Sequence, residues 1–198
     1  SRNIPQATAS MKAGKWEKKR FKGRELFNKT LGLIGAGHIG RIVAERARGM
    51  KMKVIVFDPY LKPETVEKLD LEPVSLDELL ARADYVTIHT PKTKETTDMI
   101  NRDALRKMKE GAILLNCARG GIVNEEAVCE ALESGRLAGA AFDVFTTEPP
   151  AGNRLMNLDN FICTPHLGAS TREAQDNVAK EVAEQIIACL LHGSVKNA

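Results

Sequence analysis

The chain has 198 residues, 43% hydrophobic and 28% charged, which is enough for one substantial core and too apolar for a disordered segment. No apolar run approaches the length of a membrane span and no signal-peptide core opens the chain; Cys117, Cys129, Cys163 and Cys189 form no CxxC or Cys/His pairing, so no structural metal is expected and a reduced, cytoplasmic setting fits. The net charge of +3 is uneven, with eight Lys or Arg against Glu17 alone in residues 1–24, and 21 basic against 25 acidic side chains in the remainder.

In chain order, that basic arm comes first. Lys15-Trp16-Glu17-Lys18-Lys19-Arg20-Phe21-Lys22 interleaves cations with aromatics, a pattern that raises nucleic acid. No recognition helix or RNP motif follows, so nucleic acid is not expected. The expectation is a solvated arm whose Trp16 and Phe21 pack on the domain or on a partner subunit. Residues 3–13 include helix-compatible Gln6-Ala7-Thr8-Ala9-Ser10-Met11.

Next comes the most informative segment. Thr30-Leu31-Gly32-Leu33-Ile34 reads as a strand, Gly35-Ala36-Gly37-His38-Ile39-Gly40 as a glycine turn opening a helix over 38–50, and Val54-Ile55-Val56-Phe57 as a second strand within 53–57 that delivers Asp58. Such a βαβ unit holds a dinucleotide. Gly35 permits the turn, Gly37 lets the backbone approach a pyrophosphate, and Gly40 lets the helix pack on the strand. The helix N-terminus offers free N–H groups to the phosphates. Asp58 accepts from both ribose hydroxyls and repels a 2′-phosphate, so NAD is expected over NADP. The plainer alternative is a glycine turn that only packs a helix.

Apolar runs and helical patterns then alternate. Further strands are expected at 71–74, 85–88, 112–116, 138–142 and 161–163, and helices at 64–69, 75–82, 101–109, 124–134 and 170–192. Ser75-Leu76-Asp77-Glu78 reads as a capping box, Asn101 and Asn124 as caps, and Gly111 and Gly135 as helix-terminating glycines. The fold expected is α/β: one doubly wound parallel sheet of the Rossmann type over 25–169, with 1–24 as arm or hinge helix and 170–198 as a hinge helix. Both ends read as cut, as if from a two-domain enzyme reduced to its nucleotide half.

Three more segments fall at strand ends, where ligands of parallel sheets bind. They are Ile88-His89-Thr90-Pro91, Asn116-Cys117-Ala118-Arg119-Gly120-Gly121, and Asp143 through Pro150, with Thr164-Pro165-His166-Leu167-Gly168-Ala169 downstream. Moving a hydride between a 2-hydroxy acid and nicotinamide needs a base, a cation for the carboxylate, and an acid to orient the base. His166, Arg119 and Glu148 suit those roles. Each alone has a structural alternative: a satisfied histidine before a helix, a turn-shaping arginine, an exposed loop acid. His38 is expected at the pyrophosphate or in solvent, His89 in support of its loop, His192 at the surface, and Cys117 as pocket lining rather than nucleophile.

These motifs resemble those of the D-2-hydroxyacid dehydrogenases over nearly the whole chain, with Leu167 through Gln175 and Ile4 through Met11 most like the branch that acts on 3-phosphoglycerate. The resemblance implies an oxidoreductase that converts 3-phosphoglycerate to 3-phosphohydroxypyruvate in serine biosynthesis. It implies substrate binding by Arg119, pairing of Glu148 with the histidine, and acid/base work by His166. NAD would be surrounded by Gly35, Gly37, His38, Ile39, Gly40, Asp58, Thr90, Pro91, Cys117, Ala118, Arg119, Asp143, His166, Gly168 and Ala169. A homodimer through this domain is implied, as is a separate substrate domain lacking here, so the chain is expected to bind NAD and turn over poorly. His38 stands where the family often has arginine, and Asn124 where it often has aspartate. The alternatives are a glyoxylate or hydroxypyruvate reductase and a non-catalytic NAD-responsive interaction module.

Overall fold

The computed structural model describes residues 1–62, 64 and 71–195. The β-branched and leucine-rich runs pair as a parallel sheet of seven strands among the described residues: β1 (Thr30–Ile34), β2 (Lys53–Phe57), β3 (Glu72–Pro73), β4 (Tyr85–Ile88), β5 (Ala112–Asn116), β6 (Leu137–Phe142) and β7 (Phe161–Cys163). Their order is β3-β2-β1-β4-β5-β6-β7. The chain therefore reverses its direction of growth at β1, whose Ile34 pairs with Phe57 of β2 on one side and Ile88 of β4 on the other. That reversal opens the crevice at the carboxyl ends of β1 and β4. The short β3 carries Pro73 at the sheet edge, where a missing N–H is tolerated.

Helix α1 (Ile4–Lys12) lies in the helix-compatible segment 3–13, helices α2 (His38–Gly49), α3 (Leu76–Arg82), α4 (Arg102–Lys107), α5 (Glu125–Glu133) and α6 (Arg172–His192) fall where the periodicity places them, and a 3-10 turn at Arg154–Asn157 adds an element that no sequence pattern announced. Of the expected helix at 64–69, residues 65–69 lie outside the described residues. Two apolar clusters show how the sheet is covered. Leu31, Leu33, Val54 and Val56 face Ala44 and Ala47 of α2. Leu79 and Leu80 of α3, Leu105 of α4 and Val128 and Leu132 of α5 join Ile34, Val86, Ile88 and Leu114 in the other. Gly32 makes that second contact close: a Cβ there would lie 2.5 Å from Leu79 Cδ2. Each fully buried leucine contributes roughly 1.5–3 kcal/mol.

The caps are as expected, with two refinements. Ser75, Asn101 and Asn124 accept from first-turn amides of α3, α4 and α5, and Thr171 does so for α6. Glu78 pairs its Oε1 with Arg82 at 2.6 Å, so it serves the i,i+4 ion pair on the helix face. Gly135 follows α5 as a terminating glycine, but Gly111 does not end α4. Met108 caps that helix in extended backbone, and Gly111, at φ 71, donates its N–H to Arg136 O at 2.9 Å on the way into β5.

The chain forms two compact units, Ser1–Thr164 and Pro165–Ala198. The arm belongs to the first. Gln6 Nε2 donates to Asp159 O and Arg24 to Gly111 O, each at 2.6 Å, while Ser10 Oγ donates to Glu17. Trp16 is 79% exposed and does not pack on its own domain, whereas Phe21 is partly covered, with Arg20 5.6 Å from its ring centroid. In the second unit, α6 contains no buried residue. Among the described residues no helix is long and apolar enough to cross a membrane.

Candidate functional site

The glycine turn after β1 is held from three directions. Gly35, at φ 90, donates its N–H to Phe57 O at 2.9 Å, and a Cβ on it would lie 2.8 Å from His89 O. Ala36 N–H donates to Asp58 Oδ2 at 2.8 Å, and Arg41 Nε donates to Ala36 O at 2.8 Å. Gly40 presses α2 onto the turn, where a Cβ would sit 2.1 Å from Gly35 O. Gly37, the N-cap of α2, differs. Among the described residues it has no side-chain cap, and a Cβ there would meet nothing within 4 Å. Bare N–H groups at a helix N-terminus facing open space form an anion cradle. His38 and Ile39 are exposed in its first turn.

Asp58 ends β2 with Oδ1 accepting from Tyr60 N–H at 2.9 Å and Oδ2 from Ala36 N–H. A carboxylate has about four lone-pair sites, so capacity remains for ribose hydroxyls. At the end of β4, His89 N–H donates to Ile34 O, and its ring Nε2 lies 2.9 Å from Thr87 Oγ1. Burial pushes the His89 imidazole below its ordinary range, which suits a neutral, loop-supporting ring. Thr90, the next residue, has a buried hydroxyl with no hydrogen-bond partner among the described residues. Its methyl group would meet a Cβ on Gly35 at 2.7 Å. An open phosphate cradle, an acceptor carboxylate and an orphaned hydroxyl beside the turn together fit a dinucleotide. Pro91 is exposed, its carbonyl accepting from Thr96 Oγ1.

The loop after β5 is folded by Asn116, which is 1% exposed. Its Oδ1 accepts from Ala118 N–H and its Nδ2 donates to Arg119 O, each at 3.1 Å. Arg119 is exposed and donates from its guanidinium to Ala118 O at 2.7 Å. Cys117 keeps an exposed face, yet desolvation by its surroundings and then the Asp143 charge hold its thiol above the ordinary value, the opposite of an activated nucleophile.

After β6, buried Asp143 donates its N–H to Asn116 O at 2.9 Å and accepts from Thr164 Oγ1 at 2.5 Å. Glu148 Oε1 accepts from Phe145 N–H at 3.0 Å, and the Glu148–Pro149 peptide is cis. A Cβ on Gly120 would lie 1.8 Å from Phe145 O, so the arginine loop and the Glu148 loop touch backbone to backbone. Within the first unit the strand register thus places the glycine turn, Asp58, Thr90, Asp143 and the Arg119 and Glu148 loops along one edge of the sheet, at the carboxyl ends of β1, β2, β4, β5 and β6. His166, at φ 55, and Gly168 and Ala169 are exposed residues at the start of the second unit.

Sequence reasoning passed over Asn116 and Arg41 as site-building residues. An asparagine ending an apolar strand was the available signal for the first. An apolar groove of about 530 Å³ lies along the sheet face of Leu31, Tyr85, Ile113 and Leu115, and none of the candidate site residues lines it.

Comparison with known proteins agrees with this geometry. Residues 1–168 match the family described as D-isomer specific 2-hydroxyacid dehydrogenase, NAD binding domain. The chain is 52% identical to D-3-phosphoglycerate dehydrogenase of Methanocaldococcus jannaschii over 187 residues, 94% of this chain and 36% of that protein. It is 50% identical to the Bacillus subtilis protein of the same name, over 94% of this chain and 35% of the relative. It therefore spans little more than a third of these relatives. A glyoxylate reductase from Paecilomyes thermophila superposes with a TM-score of 0.92 at 34% identity, over 98% of this chain and 59% of that one. An NAD-dependent formate dehydrogenase from Staphylococcus aureus, solved with NAD, gives 0.90 at 34% identity, over 99% and 59%. The chain belongs to the D-isomer-specific 2-hydroxyacid dehydrogenases, as an NAD-binding domain of that family.

Proposed function

We propose that this chain is the NAD-binding, catalytic part of a dehydrogenase that oxidises 3-phosphoglycerate to 3-phosphohydroxypyruvate. Bound NAD supplies the hydride acceptor. Gly37 and the first turn of α2 bind its pyrophosphate, Asp58 the ribose, and Thr90 and Asp143 help to line the pocket. Arg119 holds the substrate carboxylate and polarises the developing carbonyl. His166 takes the hydroxyl proton on a ring nitrogen, and Glu148 orients that ring and keeps it basic. The observation that carries this reading is the close approach of Gly120 to Phe145, which joins the loops of Arg119 and Glu148 at the sheet edge that also bears the glycine turn. The relatives' names supply the substrate.

The proposal divides the chain into a basic arm (1–24), a nucleotide domain (25–169) and a helix leading away from it (170–198). It includes a homodimer through the nucleotide domain. A cytoplasmic setting is also part of it, suggested by four free cysteines. Because the chain spans 36% of its relative's length, turnover is assigned to the full-length polypeptide, and the 198 residues alone are expected to bind NAD and turn over poorly.

The test is turnover by the full-length polypeptide with NAD and either 3-phosphoglycerate or D-glycerate. A preference of at least about tenfold for the phosphorylated acid is expected, since one charge-assisted hydrogen bond contributes roughly 1.5–3 kcal/mol. The reverse preference would instead favour a glyoxylate or hydroxypyruvate reductase, and no turnover of either acid an NAD-responsive interaction module.

A further inference from the structure

Glu125, the first residue of α5, is half-buried, and its carboxylate does not serve its own helix alone. Oε1 accepts from both Thr146 N–H, at 2.6 Å, and Thr146 Oγ1, at 2.7 Å. Oε2 accepts from Asn153 Nδ2 at 2.6 Å. One side chain therefore fixes two points of the loop that carries Glu148, across 21 and 28 residues of sequence.

The points it fixes matter for the site. Thr146 adjoins Phe145, whose N–H holds Glu148 Oε1 and whose carbonyl lies where a Cβ of Gly120 would be. The ring of Phe145 is anchored separately, with its centroid 6.3 Å from that of Phe142 and 6.4 Å from that of Phe161. The Phe145–Thr146 peptide is thus held by aromatic packing on one side and by Glu125 on the other. It touches the loops of both Arg119 and Glu148. Glu126, the next residue, pairs with Arg154 and does not reach Thr146 in this way.

We propose that Glu125 is a positioning residue for the dehydrogenase reaction: by clamping Thr146 it fixes the backbone from which Glu148 is held and against which the Arg119 loop rests. The inference builds on the site reading given under the proposed function. Glu125 touches neither substrate nor cofactor in this role and acts through Glu148. Small displacements of such groups are costly, about a hundredfold in rate per ångström.

The test uses the full-length polypeptide with Glu125→Ala, Glu125→Asp, Glu125→Gln, Glu126→Ala and Glu148→Gln. Steady-state turnover of the hydroxy acid is read beside amide exchange over residues 143–153. Glu125→Ala is expected to lower kcat by about ten- to a hundredfold with KM within about twofold, and to speed exchange at Phe145 and Thr146. Glu125→Asp keeps the charge at the helix N-terminus but is one methylene too short, so it behaves like the alanine variant even if that variant folds poorly. Glu125→Gln keeps an oxygen for Thr146 and recovers most of kcat, which separates reach from charge. Glu126→Ala removes a tie to the same region and leaves kcat in place.

Wild-type kcat and exchange in both Glu125→Ala and Glu125→Asp, with Glu148→Gln impaired, would overturn the inference and leave the site reading standing. Undiminished turnover in Glu148→Gln would overturn the site reading and this inference with it. Unchanged exchange at Phe145 and Thr146 in Glu125→Asp would by itself remove the clamp.

Discussion

Ala36 N–H donates to Asp58 Oδ2 at 2.8 Å, so the residue that ends β2 also pins the glycine turn after β1. In the proposed site the same carboxylate also meets the cofactor ribose, which would couple cofactor choice to turn geometry through one side chain.

Replacing Asp58 should show both effects. Asp58→Ser is expected to reduce the preference for NADH over NADPH by about tenfold or more, the scale of removing one charge-assisted hydrogen bond and relieving one repulsion. It should also weaken NADH binding itself, since Ala36 loses its acceptor. Calorimetric titration with each dinucleotide checks this, and an unchanged ratio would remove Asp58 from cofactor selection.

The two glycines that flank the start of α2 should fail in different ways. A Cβ at Gly40 would sit 2.1 Å from Gly35 O, so Gly40→Ala forces the helix off the strand and costs stability, roughly 1–3 kcal/mol for overpacking. A Cβ at Gly37 meets no atom of the described residues within 4 Å. Gly37→Ala should keep its melting temperature while losing NADH affinity, because the methyl group fills the cradle. Melting curves and titrations of both variants separate the two roles, and parallel losses in both would contradict this division.

The strands and most helices were legible because each is a local pattern. Apolar runs such as Val54-Ile55-Val56 and caps such as Asn101 and Asn124 act within a few residues. The glycine turn and Asp58 were legible for the same reason, since their spacing is the geometry. Gly111 misled because its left-handed backbone serves a turn toward Arg136 rather than a helix end, and a positive φ does not announce its purpose. What sequence could not give was long-range closure. Glu125 reads as an early acid on a helix until Thr146 is found against it, and Gly120 reads as a flexible turn until Phe145 O is found where its Cβ would be. Trp16, expected on the domain or on a partner subunit, is 79% exposed on its own chain, so packing within the domain does not hold it.

Asn116 should be sensitive out of proportion to its size. It is buried and satisfies both Ala118 N–H and Arg119 O. Asn116→Ala leaves those groups without partners, a cost of about 1–3 kcal/mol, and releases the turn that presents Arg119. Chemical denaturation should register the loss. KM for the hydroxy acid in the full-length polypeptide should rise more than the affinity for NADH falls. Equal changes in both would indicate general unfolding of the pocket instead.

His89 predicts an acid dependence of stability. Burial pushes its imidazole below the ordinary range, so on acidification the unfolded chain takes up the proton first and binds more protons than the folded one. Stability contributed by the neutral ring should therefore fall as pH drops below about 6.5, and level off once the folded pKa is passed. His89→Gln should flatten that part of the melting-temperature profile. A profile identical to that of the parent chain would show that another group dominates the window.

In the proposed reaction His166 is the base that takes the substrate's hydroxyl proton as the hydride leaves. The most direct test of that role is the rate of NADH formation by the full-length polypeptide with saturating NAD and 3-phosphoglycerate, before and after His166→Ala. A fall in kcat of about 10²–10⁴-fold with NADH affinity unchanged is expected, the range for loss of a general base. Undiminished NADH formation by the variant would contradict it.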